Sequence, residues 1–311
     1  MHVAIAIVGF DNASDIAHCL EELARSTHQD FEVLICENGG PAAFDRLKAA
    51  IPAALSGGQP VRAVLAPGNL GYAGGVNLCL AETPEADAWW VLNPDTHPDP
   101  GALAAKVARL EAGDCEAVGC TLHLPNGTVQ SHGGRWNAWL ARGASLGYAS
   151  PQSARPDPAE IERIQNYLNG AAMLIGRRFL DVVGPMREEY FLYCEEVEWC
   201  LRGRRLGMRL GYAPDAVVLH YQGTTTGNPP DIRQRGRTPV YLNERNKILL
   251  TQDLFPARLP LVAVLALLVI FMRFGRRRAW RQLGYALAGW AAGLRGERGP
   301  PAWIQVTVPA G

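Results

Sequence analysis

Residues 61–95 read VRAVLAPGNLGYAGGVNLCLAETPEADAWWVLNPD, and this stretch decides the fold. An apolar run, VRAVLAP, leads into a glycine-rich turn, and the turn runs into a helical stretch over 76–82. A second apolar run, DAWWVLN, then stops on a bend carrying an acid. Strand, helix and strand in this order predict a βαβ unit. The pattern extends outward. Before it come VAIAIVGF (3–10), a helical stretch over 14–25, FEVLICEN (31–38) and a second helical stretch. After it come a helix near 102–111 and AVGCTLHL (117–124). Such alternation predicts an α/β fold whose parallel sheet is covered on both faces and whose strands end at a ligand crevice. Residues 135–163, with Pro and Arg and weak periodicity, read as a long loop or flap. Beyond them NGAAMLIGRRFLDVVG, a helix around 197–206 and the strand-like AVVLHY resume the pattern.

The chain has 311 residues, 48% of them hydrophobic, and equal numbers of basic and acidic side chains, 30 each. That balance excludes a disordered tail protein and a globally basic nucleic-acid binder. The neutrality hides an asymmetry: residues 258–298 hold 8 Arg and one acid, Glu297, which leaves 22 basic against 29 acidic residues elsewhere. Within that basic tail, 259–272 is an uncharged apolar run of 14 residues, short of the roughly 20 a bilayer requires. A buried core helix fits it. So does a helix lying in an anionic membrane interface, which the arginine flanks and Trp280, Tyr285 and Trp290 favour. Length suggests two domains or one large α/β domain with an appendage, here an α/β domain over 1–250 and an apolar, basic helical tail over 251–311. Seven cysteines without a C-x-x-C pair argue against a disulfide framework or structural zinc. The N-terminus lacks the pattern of a secretory signal, so a cytoplasmic start is expected.

Polar groups cluster where apolar strands stop. Phe10, Asp11 and Asn12 follow the first strand, and Glu37, Asn38 and two glycines follow the second. Each set alone is ordinary turn chemistry, but together they can line a base and ribose pocket. The run Asn69-Leu-Gly71-Tyr72-Ala-Gly74-Gly75-Val-Asn77 offers unobstructed backbone N–H groups at a helix start, suited to an anionic or ribosyl ligand. It departs from the dinucleotide fingerprint in spacing and follows the third strand. Asn93-Pro-Asp95 places one carboxylate at the end of an apolar strand, either to meet a divalent cation or to cap the helix that follows. Glu195, Glu196 and Glu198 fall within four residues in an aromatic setting. Mutual repulsion there raises a carboxyl pKa and makes a general base, although acids at a helix start are also stabilised by its dipole. His220 ends AVVLHY and can complete a coordination sphere begun by Asp95.

Read in order, GF-DNASD, CENGG, NLGYAGGVN, LNPDT, NGAAMLIGRRFLDVVGPMREEYFLYCEEVEWCLR and HYQG resemble the family 2 inverting glycosyltransferases, in particular their rhamnosyltransferase-like branch. The resemblance spans about residues 3–250. It implies a GT-A fold, Rossmann-like, with a nucleotide-diphosphate sugar donor (dTDP or UDP) and Mg²⁺ or Mn²⁺. By position it implies donor-binding roles for Phe10, Asp11, Glu37, Asn69, Gly71, Tyr72, Gly74, Gly75, Asn77 and Asn93. It implies metal contacts from Asp95 and His220, catalysis by Glu196 beside Glu195, and an acceptor side at Glu198 and Trp199. Glu stands where the family more often has Asp at position 37 and at two positions of the 195–198 element, and Asn93 replaces an acid. The expected reaction moves a sugar, rhamnose from dTDP-rhamnose or a hexose from UDP, to a glycan or lipid-linked acceptor for cell-surface polysaccharide. The expected setting is cytoplasmic, peripheral to the inner face of the plasma membrane. No nucleic-acid partner is expected; a non-catalytic sugar-nucleotide binder is the alternative from another class.

Overall fold

A computed structural model describes residues 1–221 and 231–304; Gln222 and Gly223 of the HYQG motif lie outside the described residues. The chain begins with β1 (Val3–Gly9), α1 (Ala13–Leu23), β2 (Phe31–Glu37), α2 (Pro41–Ala50), β3 (Val61–Leu65), α3 (Gly71–Glu82) and β4 (Ala88–Leu92). These strands pair in parallel in the order β3-β2-β1-β4. Alternation on β1 decides the layering. Val3, Ile5 and Ile7 face a core completed by Ile16 and Leu20 of α1, whereas Ala4 and Val8 face one completed by Val76 and Leu80 of α3. Burying both faces explains why these strands read as continuous apolar runs.

The second half departs from a purely parallel sheet. Next come β5 (Thr96–Pro98), α4 (Ala102–Glu111), β6 (Ala117–His123), β7 (Val129–Ser131), β8 (Gly134–Asn137), β9 (Arg142–Ser145) and α5 (Pro158–Ile164). They are followed by β10 (Ala172–Gly176), α6 (Arg177–Val183), α7 (Glu195–Arg205) and β11 (Leu210–His220). β10 lies antiparallel between β4 and β6, and β5 lies antiparallel on β11, so the nine-stranded sheet is mixed. An apolar segment such as AMLIG, buried on both faces, fits a sheet interior in either direction. The stretch read as a flap holds the β8–β9 hairpin and α5; its strands are four residues each, too short to show a period.

The tail is helical: α8 (Arg237–Leu254), α9 (Leu259–Ile270) and α10 (Trp280–Leu294). α8 runs through residue 250, where the two units were divided. α10 packs on α8 through glycines: a Cβ at Gly289 would stand 2.2 Å from Tyr241 O, and one at Gly293 would stand 2.7 Å from Arg245 O. Residues 256–275 form 20 residues of helix with mean hydropathy 2.1, enough by length and composition to cross a membrane. One face of α9, with Val262, Ala266 and Ile270, is buried; the opposite face leaves Leu261, Val264 and Leu268 exposed.

Candidate active site

β4 stops at Leu92, and the chain bends through Asn93–Asp95 into β5. Pairing of Thr96 with His220 then brings Asp95 to the end of β11. Asp95 Oδ1 lies 3.2 Å from His220 Nε2, and the two side chains are only 7% and 9% exposed. Gln130 Oε1 is 2.8 Å from His220 Nδ1. An amide oxygen only accepts, so Nδ1 carries a proton and Nε2 is the nitrogen left to face Asp95. Asn93 Nδ2 sits 3.4 Å from that same Nε2, as a donor would. A carboxylate facing an imidazole nitrogen at this distance is bridged by a cation, a proton or a metal ion. Oxygen and imidazole donors suit a divalent ion such as Mg²⁺ or Mn²⁺, but they supply two positions. Among the described residues no group of three or more His, Cys, Asp or Glu is arranged to hold a metal. Water and a bound diphosphate would have to complete the sphere. Asp95 does not cap the next helix: α4 starts at Ala102, with Gly101 at the N-cap and no side-chain cap.

The glycine-rich turn is itself helix. α3 begins at Gly71, five residues before the expected start. A Cβ at Gly75 would stand 2.7 Å from Val8 Cγ1, so the glycines let the helix lie against β1. Gly71, at φ +71°, takes a conformation that side chains disfavour, and a Cβ there would stand 2.2 Å from Phe191 O. Asn69 Oδ1 accepts from Gly71 N–H at 3.0 Å, and Asn38 Nδ2 donates to Gly71 O at 2.8 Å. Tyr72 Oη lies 2.7 Å from Gly170 O and 3.1 Å from Asn93 Oδ1. Burial, with Glu195, Glu196 and Asp95 nearby, pushes the Tyr72 phenol well above its usual range. Tyr72 thus sits amid all three carboxylates.

The acids of α7 divide sharply. Glu195 is buried; burial and the neighbouring Glu196 push its carboxyl far up. Glu196 is half-buried against Gly170, and burial raises its carboxyl, although the N–H groups of Glu196 and Val197 oppose the shift. Glu198 and Trp199, expected on the acceptor side, are both fully buried. Glu198 pairs with Arg202 at 2.9 Å and Arg187 at 3.3 Å, while Trp199 donates to Gly184 O and packs edge-on to Phe179. Glu198, two positions on, points to the opposite side of the helix from Glu196, whereas Trp199, three positions on, is taken into the core by its packing on Phe179 and Gly184. Three residues before α7, Phe191, Tyr193 and Cys194, have φ of 66°, 74° and 70°. Non-glycine residues held there cost about 1–3 kcal/mol each. Asn246 of α8, fully buried, holds this turn by donating to the carbonyls of Tyr190, Leu192 and Tyr193.

Several expected donor contacts serve elsewhere. Glu37 is fully buried and accepts from the N–H groups of Asp11 and Gly39 at 2.9 and 2.7 Å, so it shapes the floor beneath the strand ends. The amide of Asn77 is engaged by Met186 and Glu188. Gly74 has Leu70 where a Cβ would stand. Phe10 is exposed, and Asp11 forms an exposed ion pair with Arg46 at 2.5 Å. Gln130 and Asn246 went unread in the sequence because each acts through a distant backbone or ring.

A protein-family model described as "Glycosyltransferase like family 2" matches residues 2–238. The N-acetylglucosaminyl-diphospho-decaprenol L-rhamnosyltransferase of Mycobacterium tuberculosis is 26% identical over 245 residues, 73% of this chain and 78% of that protein. The solved mannosyltransferase PcManGT of Pyrobaculum calidifontis, in complex with GDP-Man and Mn²⁺, aligns with a TM-score of 0.56 at 13% identity, covering 95% of this chain and 88% of that one. S. aureus TarS 1-349 with UDP-GlcNAc aligns with a TM-score of 0.54 at 13% identity, covering 96% and 93%. The mixed sheet, the strand-end site and the family match across three quarters of the sequence converge: the chain belongs to glycosyltransferase family 2 and is a glycosyltransferase with the GT-A fold.

Proposed function

We propose that this glycosyltransferase moves rhamnose, with inversion, from dTDP-rhamnose to a hydroxyl of a lipid-linked glycan acceptor used in cell-surface polysaccharide. The observation that carries the reading is the continuous line of groups from Glu196 past Gly170, Tyr72 and Asn93 to the His220–Asp95 pair. The likeness to a rhamnosyltransferase named for a diphospho-decaprenol substrate supports the sugar and the lipid. Glu196 takes the proton of the acceptor hydroxyl; its raised pKa moves it toward the working pH, where a base is most effective. Burial and the neighbouring Glu196 favour the neutral form of Glu195 beside it. Asp95 and His220 would hold a divalent ion, Mg²⁺ or Mn²⁺, with Gln130 fixing the imidazole. When bound, that ion offsets the negative charge developing on the leaving diphosphate. Attack opposite the diphosphate inverts the anomeric centre without a covalent intermediate. Phe10, Asp11, Asn69, Gly71 and Tyr72 border the donor.

The exposed face of α9, together with Phe271 and Met272, continues into Arg276–Arg278 and a Trp280 that is 65% exposed. Apolar side chains beside a basic cluster favour an anionic membrane surface, with the enzyme peripheral to the cytoplasmic leaflet. The test is a donor panel with and without Mg²⁺ or Mn²⁺, scored by release of nucleoside diphosphate. dTDP-rhamnose is expected to lead, and only with metal. A UDP-hexose leading instead would overturn the sugar assignment, and no turnover with any donor would overturn the enzymatic reading of the site.

A further inference from the structure

A cavity of about 490 Å³ opens at the far end of α7, between the β8–β9 hairpin and the start of α9. Arg135, Arg204, Arg205 and Arg258 line it with Trp139 and Phe255. None of the four arginines forms an ion pair with a described carboxylate, although the body outside the tail has an excess of acids. Four like charges around one cavity repel, yet three are held in place. Arg204 donates to Gln165 O and Arg205 to Leu254 O. Arg258 lies 4.3 Å over the Trp139 ring and 5.2 Å over Phe255. Each hold occupies one N–H or one ring face, and a guanidinium has five N–H donors in a planar fork matched to phosphate oxygens.

The surroundings add an apolar requirement. Trp139 and Leu140 at the hairpin tip are 52% and 44% exposed, and Leu261, three residues beyond Arg258, is exposed on α9. The cavity also connects to the catalytic end. Segment 165–170 runs beside α7 from Arg204, bonded to Gln165 O, to Glu196, packed on Gly170. Nine residues of helix separate Glu196 from Arg205, about 13 Å. One hexose joined to a diphosphate covers that span.

We propose that the cavity binds the diphosphate of a polyprenyl-linked acceptor, with the four arginines on the phosphates and Trp139, Phe255 and the hairpin tip against the first isoprene units. This deepens the lipid-linked reading above and rests on it. The experiment uses the full chain with EDTA present, so that the donor cleft holds no metal, and follows tryptophan fluorescence on titration with geranyl diphosphate, inorganic pyrophosphate or phosphatidylglycerol vesicles. Geranyl diphosphate is expected to bind more tightly than pyrophosphate. R135Q and R258Q should each weaken it about tenfold. Arg135 makes no described side-chain hydrogen bond, so R135Q should keep the wild-type melting temperature and keep metal-dependent binding of dTDP, which separates loss of this site from misfolding. Equal binding of pyrophosphate and geranyl diphosphate would reduce the cavity to a free-anion site and overturn the lipid assignment. Binding unchanged in both variants would overturn the site itself, as would vesicles alone reproducing the arginine-dependent signal. Arginine-dependent binding alongside a failed donor panel would sink the proposed reaction and leave the cavity standing.

Discussion

The two ends of α7 are chemical opposites on one 11-residue helix. Its first turn carries Glu195, Glu196 and Glu198, and its last carries Arg202, Arg204 and Arg205. Both arrangements suit the helix dipole, yet that factor is worth only about 0.3–1 kcal/mol and explains neither end. Burial differs instead. Glu195 and Glu196, the latter packed on Gly170, lose solvent, which drives their carboxyls toward the neutral form, while Glu198 is held in ion pairs with Arg187 and Arg202. Arg204 and Arg205 stay exposed and charged at the mouth of a cavity. The same charge pattern thus leaves carboxyls driven toward the neutral form where water is excluded and exposed guanidinium groups where it is not.

The contrast breaks most readily at Glu196. E196Q is expected to lower turnover by roughly 10²- to 10⁴-fold while dTDP binding, read as a melting shift, persists. Turnover surviving within tenfold would remove Glu196 as the base. N246A should be nearly as damaging. It strips donors from three carbonyls of the turn that aims α7, and a displacement of about 1 Å costs on the order of 10²-fold. A lower kcat with an unchanged Kd for dTDP would place the loss in alignment of the base. Q130A frees the His220 ring and should weaken metal dependence by about 10- to 100-fold, so that rescue by excess Mn²⁺ is expected. An unaltered metal titration would show that Gln130 is idle.

Smaller effects sharpen the acid end. Glu195 and Glu196 have folded pKa values above their ordinary 4.5. Their contribution to stability is therefore full below pH 4.5 and is lost as pH rises through the folded values. Wild-type melting temperature should fall over that window more than that of E195Q. The acid limb of kcat/KM, set by loss of the proton from Glu196, should lie above 4.5 and stay in place in E195Q, because burial and the charge on Glu196 favour the neutral form of Glu195; a downward move would show that Glu195 is charged beside the base. Parallel melting curves would show that the two carboxyls do not interact. On the exposed apolar face of residues 261–272, proposed above to meet a membrane, L268E with F271E should abolish sedimentation with phosphatidylglycerol vesicles and leave the melting temperature unchanged.

Much of the fold was legible because β1 to β4 are apolar on both faces and separated by helices at ordinary spacing. The direction of β10 was not, since AMLIG carries no mark that distinguishes parallel from antiparallel neighbours. The start of α3 was missed because glycines read as a turn, whereas here they let a helix approach β1. Within the site, Asp95, Glu196 and His220 stood out as polar groups at the ends of apolar runs. Glu198 and Trp199 stand with them by proximity in sequence, but Glu198 points to the opposite side of α7 and pairs with Arg187 and Arg202, and Trp199 packs on Phe179, partners that a local pattern does not show. Gln130 and Asn246 act across 90 and more than 50 residues, distances that no local pattern encodes.

Gly71 and Phe191 touch so closely that Tyr72 N–H donates to Phe191 O at 2.8 Å. The 69–77 segment and the turn leading into α7 are therefore fitted to each other as a single packed block, although 120 positions separate Gly71 from Phe191. A chimera that exchanged residues 69–77 with a homologue of different donor taste would seat a foreign backbone on a native one. Recombination between such enzymes should yield active offspring only when both segments come from the same parent.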